Sequence, residues 1–273
     1  MERQLGHRTE TAVTEELSWS SFESYDGLEL AYALRPCPNG STVLLLHGFA
    51  ANSQVTWVRT GVVNAMASHG HSLVLLDARG HGRSAKPHDA GSYGQNAMVG
   101  DVRALLDHLG LKKVCVLGYS MGAVTALHLA AGEPRVIAAV AAGAGDSMRA
   151  RGWFHSPASV AQAMEAPTLS YVKDPSARGY RQFADATGAD RLALAAWQKA
   201  QLLEGNSGPD LSGIRVPVLI IAGSADTLAG SPIELAARIP GARGAITTGN
   251  HMNALFDSAF VGSIESFLAE VCH

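Results

Sequence analysis

The sequence predicts an α/β fold: a mostly parallel, twisted sheet of about eight strands flanked by helices and carrying a helical cap. Short apolar runs alternate with helical patterns, and one long segment without a strand signal interrupts this alternation. Short strands that are apolar throughout are typical of a parallel sheet buried on both faces. With 273 residues, 47% of them hydrophobic, the chain is long enough to form one sizeable core.

The strands are predicted from the apolar runs in chain order. The first two flank Asp26 and Gly27, a two-residue hairpin signal, and are therefore expected to be antiparallel. The predicted strands cover residues 18–25, 28–34, 42–46, 72–77, 114–119, 136–142, 216–222 and 244–247.

Two helices are predicted in detail because their apolar residues repeat at helical spacing. The first has apolar residues from Met98 to Leu109, and Gly110 stands where a left-handed C-terminal cap is expected. The second is the last helix of the chain, with Asp257 or Ser258 as its N-cap. Both helices are expected to cover the sheet.

The chain is predicted to divide into a sheet core and a cap. Residues 1–17 are expected to form a flexible polar tail, residues 18–145 and 211–273 the core, and residues 146–210 a helical cap broken by prolines. Aromatic side chains of the cap either form its own small core or line a substrate pocket. The pocket candidates are Trp153, Phe154, Tyr180, Phe183 and Trp197.

Composition restricts the classes of partner. A formal charge of -3 offers no basic surface for nucleic acid, and no apolar run approaches the roughly 18 residues that span a bilayer. Because the N-terminal residues also lack an apolar signal region, a cytoplasmic protein is expected. The three cysteines have no C-x-x-C spacing, so neither a disulfide framework nor a zinc site is expected, and Cys115 is interpreted as a small buried hydrophobic residue.

The most informative motif is Gly-Tyr-Ser-Met-Gly at residues 118–122, directly after a predicted strand. The pattern G-x-S-x-G is typical of a nucleophile elbow, a sharp turn from strand to helix that exposes a serine hydroxyl. Gly118 and Gly122 would let the strand and the helix pack closely around Ser120. The motif alone is weak, since chance produces it in many chains.

A serine nucleophile needs a base, and the base needs a group that orients it. Asp226 follows the predicted strand 216–222, and His251 follows the strand 244–247. The order Ser120, Asp226, His251 is that of a known triad arrangement. Asp146 remains an alternative acid because it follows the strand 136–142, and His47 and His81 are weaker candidates for the base.

Taken together, these motifs resemble the capped α/β-hydrolases, from about residue 18 onward. Leu46-His47-Gly48-Phe49 resembles the oxyanion loop of that family, and residues 77–84 resemble its D-x-R-G-x-G-x-S turn. The resemblance implies that Ser120 is the nucleophile, His251 the general base and acid, and Asp226 the orienting carboxylate. It also implies an oxyanion hole made by the backbone N–H groups of Phe49 and Met121.

The resemblance implies hydrolysis of an ester, lactone or thioester of a small to medium, largely apolar substrate through an acyl-enzyme. Alternatives are cleavage of a carbon–carbon bond in a β-diketone-like compound, perhydrolase activity, and ligand reception without turnover. No metal or organic cofactor is implied, and the expected partner is a small-molecule substrate. Similar epoxide hydrolases and dehalogenases use an Asp nucleophile, which Ser120 argues against. The stretch after His251 lacks the Glu-x-Pro of many relatives.

Overall fold

The computed structural model describes residues 17–150, 156–204 and 208–272. Trp153 and Phe154, two of the predicted pocket residues, and nearly all of the predicted tail lie outside these ranges. The described chain contains one sheet of eight strands. They are β1 Ser18–Glu23, β2 Glu29–Arg35, β3 Thr42–Leu46, β4 Ser72–Leu76, β5 Val114–Tyr119, β6 Val136–Ala142, β7 Val218–Gly223 and β8 Arg243–Thr247.

The strands lie side by side in the order β1-β2-β4-β3-β5-β6-β7-β8. Strand β2 pairs antiparallel with β1 and β4, and every other neighbouring pair is parallel. The prediction of a mostly parallel sheet of about eight strands is therefore confirmed. Since β5 is central, its C-terminal end lies at the middle of the sheet edge where ligands bind in open α/β folds.

Helices cover both faces of the sheet, and alternate residues of the strands point to opposite faces. Val43 and Leu45 pack on the face covered by the first and last helices, whereas Leu44 and Leu46 pack on the other. The helices are α1 Val62–Ser68, α2 Gln95–His108, α3 Met121–Gly132, α4 Asp146–Ala150, α5 Pro157–Glu165, α6 Pro175–Thr187, α7 Arg191–Leu203, α8 Pro232–Ala236 and α9 Ser258–Val271.

The two helices predicted in detail are present. Helix α2 ends before Gly110, whose φ of +64° provides the left-handed cap, and the Leu111 N–H bonds to the Leu106 carbonyl. Helix α9 is capped by Asp257, whose side chain accepts a hydrogen bond from the Ala259 N–H.

Between β6 and β7 the described residues are helical or irregular, with α4 to α7 in this segment. Asp174 and Asp190 cap α6 and α7 by accepting hydrogen bonds from backbone N–H groups of the first turn. Gly188, with a φ of +68°, ends α6. Helices α5 and α7 pack together, so the segment has apolar contacts of its own, including Val160, Met164 and Leu194.

Two expectations are corrected. Cys115 and Cys272 form a disulfide, with their Cα atoms 6.1 Å apart and a sequence separation of 157, so the expectation of no disulfide and the interpretation of Cys115 as a small buried hydrophobic residue are wrong. The first hairpin turn is also longer than predicted: its loop spans residues 24–28, because the Ser24 N–H bonds to the Leu28 carbonyl while the Asp26 carboxylate pairs with Arg79.

No helix in the described parts of the chain is long and apolar enough to cross a membrane.

Candidate active site

Ser120 lies in the turn between β5 and α3 and has an unusual backbone. Its φ is +54° and its ψ is -108°, a strained conformation for a residue with a side chain. The Ser120 N–H bonds to the Ala142 carbonyl of β6, which holds the turn against the neighbouring strand. The turn thus presents the serine hydroxyl at the C-terminal edge of the sheet, as the motif predicts.

The two flanking glycines are required by close backbone approach. A Cβ atom at Gly118 would overlap the carbonyl of Gly122, and one at Gly122 would overlap the carbonyl of Leu46 in β3. Helix α3 therefore begins in direct contact with β5, the strand that precedes it, and with the adjacent strand β3. No larger side chain fits at either position without moving the backbone.

The structure brings Ser120, His251 and Asp226 into one hydrogen-bonded chain. The Ser120 Oγ lies 2.9 Å from the His251 Nε2, and the His251 Nδ1 lies 2.8 Å from the Asp226 Oδ2. Because an ionised carboxylate only accepts, Nδ1 carries the proton and Nε2 is free to accept from the serine hydroxyl. This is the tautomer that a general base for Ser120 requires.

Asp226 is oriented by the turn that follows β7. Its carboxylate is buried, and Oδ1 accepts hydrogen bonds from the N–H groups of Leu228 and Ala229 at 3.1 and 2.9 Å. The alternative acid, Asp146, is used elsewhere: its Oδ1 accepts the Ser231 N–H at 2.6 Å and connects α4 with the segment before α8. The geometry therefore favours Asp226 as the partner of His251.

His251 lies in the loop after β8, and Tyr119 holds that loop in place. The Tyr119 hydroxyl donates to the His251 carbonyl oxygen at 2.7 Å, and the two rings are 5.4 Å apart. Burial raises the pKa of the Tyr119 hydroxyl, which keeps it protonated as a donor. Since Tyr119 precedes Ser120 directly, one segment positions both the serine and the backbone of its base.

Phe49 and Met121, the residues expected to form an oxyanion hole, line the same cavity as Ser120. Met121 follows Ser120 at the start of α3, and Phe49 follows Gly48, which contacts Ser120. No turn, loop or cap hydrogen bond of the described chain uses the backbone N–H of either residue. Both groups remain available to a developing negative charge.

The loop of residues 47–50, which follows β3, is fixed from two sides. His47 accepts the Ala78 N–H through Nε2 at 3.0 Å and donates from Nδ1 to the Gly48 carbonyl at 2.8 Å. Ala50 has a φ of +58°, and its carbonyl accepts a hydrogen bond from Thr187 of α6 at 2.7 Å. His47 therefore has a positioning role and is not the base for Ser120.

The loop of residues 77–84 holds neighbouring turns together. Arg79 is completely buried and pairs with Asp101 of α2 and Asp26 of the first hairpin loop. Burial opposes the charge on Arg79, but hydrogen bonds to the two carboxylates outweigh it and raise the pKa of the guanidinium. Asp77 accepts the N–H groups of Ser53 and Arg83 at 2.8 and 2.9 Å.

A cavity of about 590 Å³ opens beside Ser120 and His251. Three of the predicted pocket residues, Tyr180, Phe183 and Trp197, are part of its wall. Phe49 connects the loop after β3 with helices α6 and α7 here, since its ring lies 6.0 Å from the Tyr180 ring and 5.1 Å from the Trp197 ring. Mostly apolar side chains surround the triad.

Sequence reasoning missed much of the cavity wall, including polar side chains. The missed residues include Val55, Arg59, Met148, Gln198, Leu228, Met252, Leu255 and Phe256. Met252 and Phe256 are largely exposed and lie in the stretch after His251 that departs from the family pattern. Gln198 could have been noticed only as one of two glutamines, with Gln201, among the small and apolar residues of α7.

No group of three or more His, Cys, Asp or Glu side chains suited to a metal occurs among the residues that the structure describes.

The known proteins to which this chain is similar share one fold. Residues 41–174 match a family model described as alpha/beta hydrolase fold. The chain is 39% identical over 95 residues to an epoxide hydrolase from Caballeronia sordidicola, an alignment that covers 35% of this chain and 28% of that enzyme. The matched stretch thus spans only about a quarter of the length of that curated relative.

Solved structures match over nearly the whole chain. A hydrolase from Pseudomonas aeruginosa PA01 is 26% identical with a TM-score of 0.74, covering 93% of this chain and 99% of that one. The enol-lactonase from Burkholderia xenovorans LB400 is 23% identical with a TM-score of 0.69, covering 92% and 100%. At that identity the second likeness concerns the fold alone.

Proposed function

This chain belongs to the α/β-hydrolase fold family, and from that premise we propose that it is a serine hydrolase. It cleaves a carboxylic ester, lactone or thioester through an acyl-enzyme intermediate. The observation that carries the proposal is the hydrogen-bonded chain from Ser120 through His251 to Asp226, which opens into a largely apolar cavity. A metal is not needed for this chemistry, since the histidine activates the nucleophile.

In the acylation step, the Ser120 Oγ attacks the substrate carbonyl carbon while the His251 Nε2 takes the hydroxyl proton. Asp226 keeps the imidazole in its tautomer and stabilises the imidazolium that forms. The carbonyl oxygen becomes negative and accepts hydrogen bonds from the N–H groups of Phe49 and Met121. Each such donor is typically worth a factor of about 10²–10³ in rate.

His251 then gives the proton to the leaving alcohol or thiol, and the acyl group remains on Ser120. A water molecule transfers a proton to the His251 Nε2 and attacks the acyl carbon, which releases the carboxylic acid and restores the serine hydroxyl. In a lactone, acid and alcohol are parts of one molecule, so ring opening gives a hydroxy acid.

The similarity to an epoxide hydrolase does not extend to the attacking group. The epoxide hydrolases that the sequence motifs resemble are expected to use an Asp nucleophile, whereas the elbow position here is Ser120. An alkoxide formed from serine is matched to a carbonyl carbon, where the oxyanion can be held by the two backbone N–H groups. We therefore favour acyl transfer over epoxide opening.

The test is active-site labelling with a fluorophosphonate probe, together with turnover of a panel of esters, lactones, thioesters and β-diketones. We expect labelling of the parent protein but not of S120A, and multiple turnovers on members of the first three classes. Absence of labelling would overturn the proposal. Turnover restricted to β-diketones would assign the site to carbon–carbon cleavage instead.

Asp226 and Asp146 form a matched pair for the same assay. D226N is expected to lower kcat by about 10⁴-fold, because an amide in place of the carboxylate no longer selects the productive tautomer of the histidine. D146N retains an acceptor oxygen for the Ser231 N–H and should keep kcat near that of the parent. The opposite ranking would remove Asp226 from the triad.

A further inference from the structure

Arg59 carries the one formal charge in the described wall of the cavity beside Ser120. The other residues of that wall are apolar or are polar without a formal charge, and the described wall contains no Asp, Glu or Lys. The chain as a whole has a formal charge of -3, so its net charge does not attract anions. The cavity therefore has a local positive charge in a molecule that is negative overall.

Arg59 lies at the mouth of the cavity. Most of the lining residues are buried or half-buried, whereas four are exposed: Arg59, Gly179, Met252 and Phe256. Residues that line a cavity and also contact solvent mark the place where it opens. Since Met252 and Phe256 have large apolar side chains, the mouth combines apolar surface with one cation.

A π-helical turn holds the backbone of Arg59 in place. The Arg59 N–H bonds to the Gln54 carbonyl at 3.0 Å, a wide hydrogen-bonding pattern that is rare and frequently occurs at functional sites. Trp57 in this turn is completely buried, and the Thr60 hydroxyl donates to the Thr56 carbonyl at 2.7 Å. The fold thus fixes the position from which the Arg59 side chain extends.

The Arg59 guanidinium has no hydrogen-bond or ion-pair partner among the described residues. Exposed cations often lack a partner, and Arg238 after α8 is another example, so the missing partner alone indicates no ligand. The difference is one of position, because Arg238 does not line the cavity. Arg59 keeps its planar set of N–H donors, which matches the two oxygens of a carboxylate, for a molecule that enters there.

Building on the proposed function, we propose that the substrate carries a carboxylate at the end remote from the scissile carbonyl and that Arg59 binds this carboxylate. The carboxylate pairs with the guanidinium at the mouth, while the apolar part of the substrate fills the cavity toward Ser120. Because the mouth is open to water, neither ion loses all of its hydration, and pairing costs little desolvation. A substrate with a cationic end would be repelled.

The activity test uses methyl half-esters of succinic, glutaric, adipic and suberic acid, each compared with its uncharged monoamide and with an amino ester of similar length. Methanol release is measured at neutral pH. At the best chain length we expect kcat/KM of the parent for the half-ester to exceed that for the amide by about fivefold or more, since fivefold is near the upper limit for an exposed ion pair. A parent that cleaves the amide as efficiently as the half-ester at every length would overturn the inference.

Charge reversal distinguishes carboxylate binding from a structural role of Arg59. R59E should invert the order, so that the amino ester becomes a better substrate than the half-ester, and R59K should keep the preference for the anion. R238E changes the net charge by the same amount outside the cavity wall and should rank the three esters as the parent does. An unchanged order in R59E, or the same inversion in R238E, would overturn the role of Arg59.

A binding measurement makes the role of Arg59 testable without turnover. Calorimetry with S120A, which cannot form an acyl-enzyme, should give a lower Kd for the half-ester than for its amide, and adding R59E should remove the difference. Equal Kd values for the two compounds in S120A would overturn the role of Arg59. Absence of methanol release from every ester, with no labelling of Ser120, would count against the hydrolase proposal itself, and the Kd values would still decide whether Arg59 binds a carboxylate.

Discussion

Two buried histidines, His47 and His81, lie with their rings 5.2 Å apart beside the oxyanion loop, and His81 packs edge-on against Phe49. Burial lowers the pKa of His81 to about 3, an effect to which His47 and Lys86 add. Burial also lowers the pKa of His47, against the opposing attraction of Asp77. Both imidazoles are therefore neutral in the folded protein around neutral pH.

The lowered pKa of His81 predicts that acid reduces the stability of the fold. In the unfolded chain a histidine has a pKa of about 6.5, so below that pH the unfolded state binds protons that the folded state does not. The stability contributed by neutral His81 is fully present above pH 6.5 and is lost as the pH falls toward 3. The loss is about 1.4 kcal/mol for each pH unit.

Replacing His81 by Asn tests whether His81 causes this loss of stability at low pH. The Asn amide can still donate to the Arg79 carbonyl, which the His81 Nδ1 contacts at 2.9 Å, but it does not titrate. Between pH 7 and pH 5, urea unfolding should show a loss of stability about 2 kcal/mol smaller in H81N than in the parent. Identical losses in the two proteins would mean that His81 is not neutral in the fold.

At the scale of elements, the junction of β5 and α3 depends on backbone contact. We expect G122A to lose about 3 kcal/mol or more of stability, because its Cβ would overlap the Leu46 carbonyl and α3 cannot move away from β3 without disturbing the turn at Ser120. The matched control is G262A on α9, where a Cβ meets nothing within 4 Å and alanine should add up to about 1 kcal/mol.

Denaturant unfolding followed by circular dichroism gives both values. If G122A were as stable as the parent, the close approach of α3 to β3 would not be a constraint on the fold. A destabilised G262A would indicate that the outer face of α9 is covered in the protein.

The local sequence predicts those strands whose ends are determined by neighbouring residues in the chain. Strands β3, β5 and β6 begin and end at the predicted residues, since apolar runs of five to seven residues are too short for a typical helix and favour a buried strand. The first hairpin loop is longer than predicted because Asp26 forms an ion pair with Arg79, 53 residues away. No nearest-neighbour pattern encodes such a contact.

The candidate site likewise has a part that the sequence predicts and a part that it does not. Ser120, Asp226 and His251 each follow a strand, and parallel strands end at one edge, so their convergence could be expected from chain order. Gln198 could not be identified as a residue of the cavity wall, because that depends on how α7 packs. The cavity wall depends on how helices of the strand-free segment lie over the sheet, and apolar patterns alone do not determine that.

At the scale of the whole molecule, the sheet connects segments that are distant in sequence, and the disulfide adds a covalent connection of the same kind. Cys115 lies in the central strand β5, five residues before Ser120, and Cys272 directly follows α9. Helix α9 packs on the sheet through Phe260, Ile264 and Phe267. Cys37 is the remaining cysteine and is unpaired.

The bond should stabilise the fold mainly by restricting the unfolded chain, because it closes a loop of more than 150 residues. We expect reduction to lower the free energy of unfolding by about 2–5 kcal/mol, measured in urea with and without dithiothreitol. C272A should show the same loss without reductant and no further loss with it. C37S, which leaves the bridge intact, should behave like the parent in both conditions.

Thiol titration of the unfolded chain separates a bond from two packed thiols. One reactive thiol is expected before reduction, from Cys37, and three after it. Three thiols before reduction, with equal stability in the two conditions, would show that Cys115 and Cys272 only pack against each other. In that case the stability of β5 beneath the serine turn would rest on its strand pairing and on the apolar contacts of α9 alone.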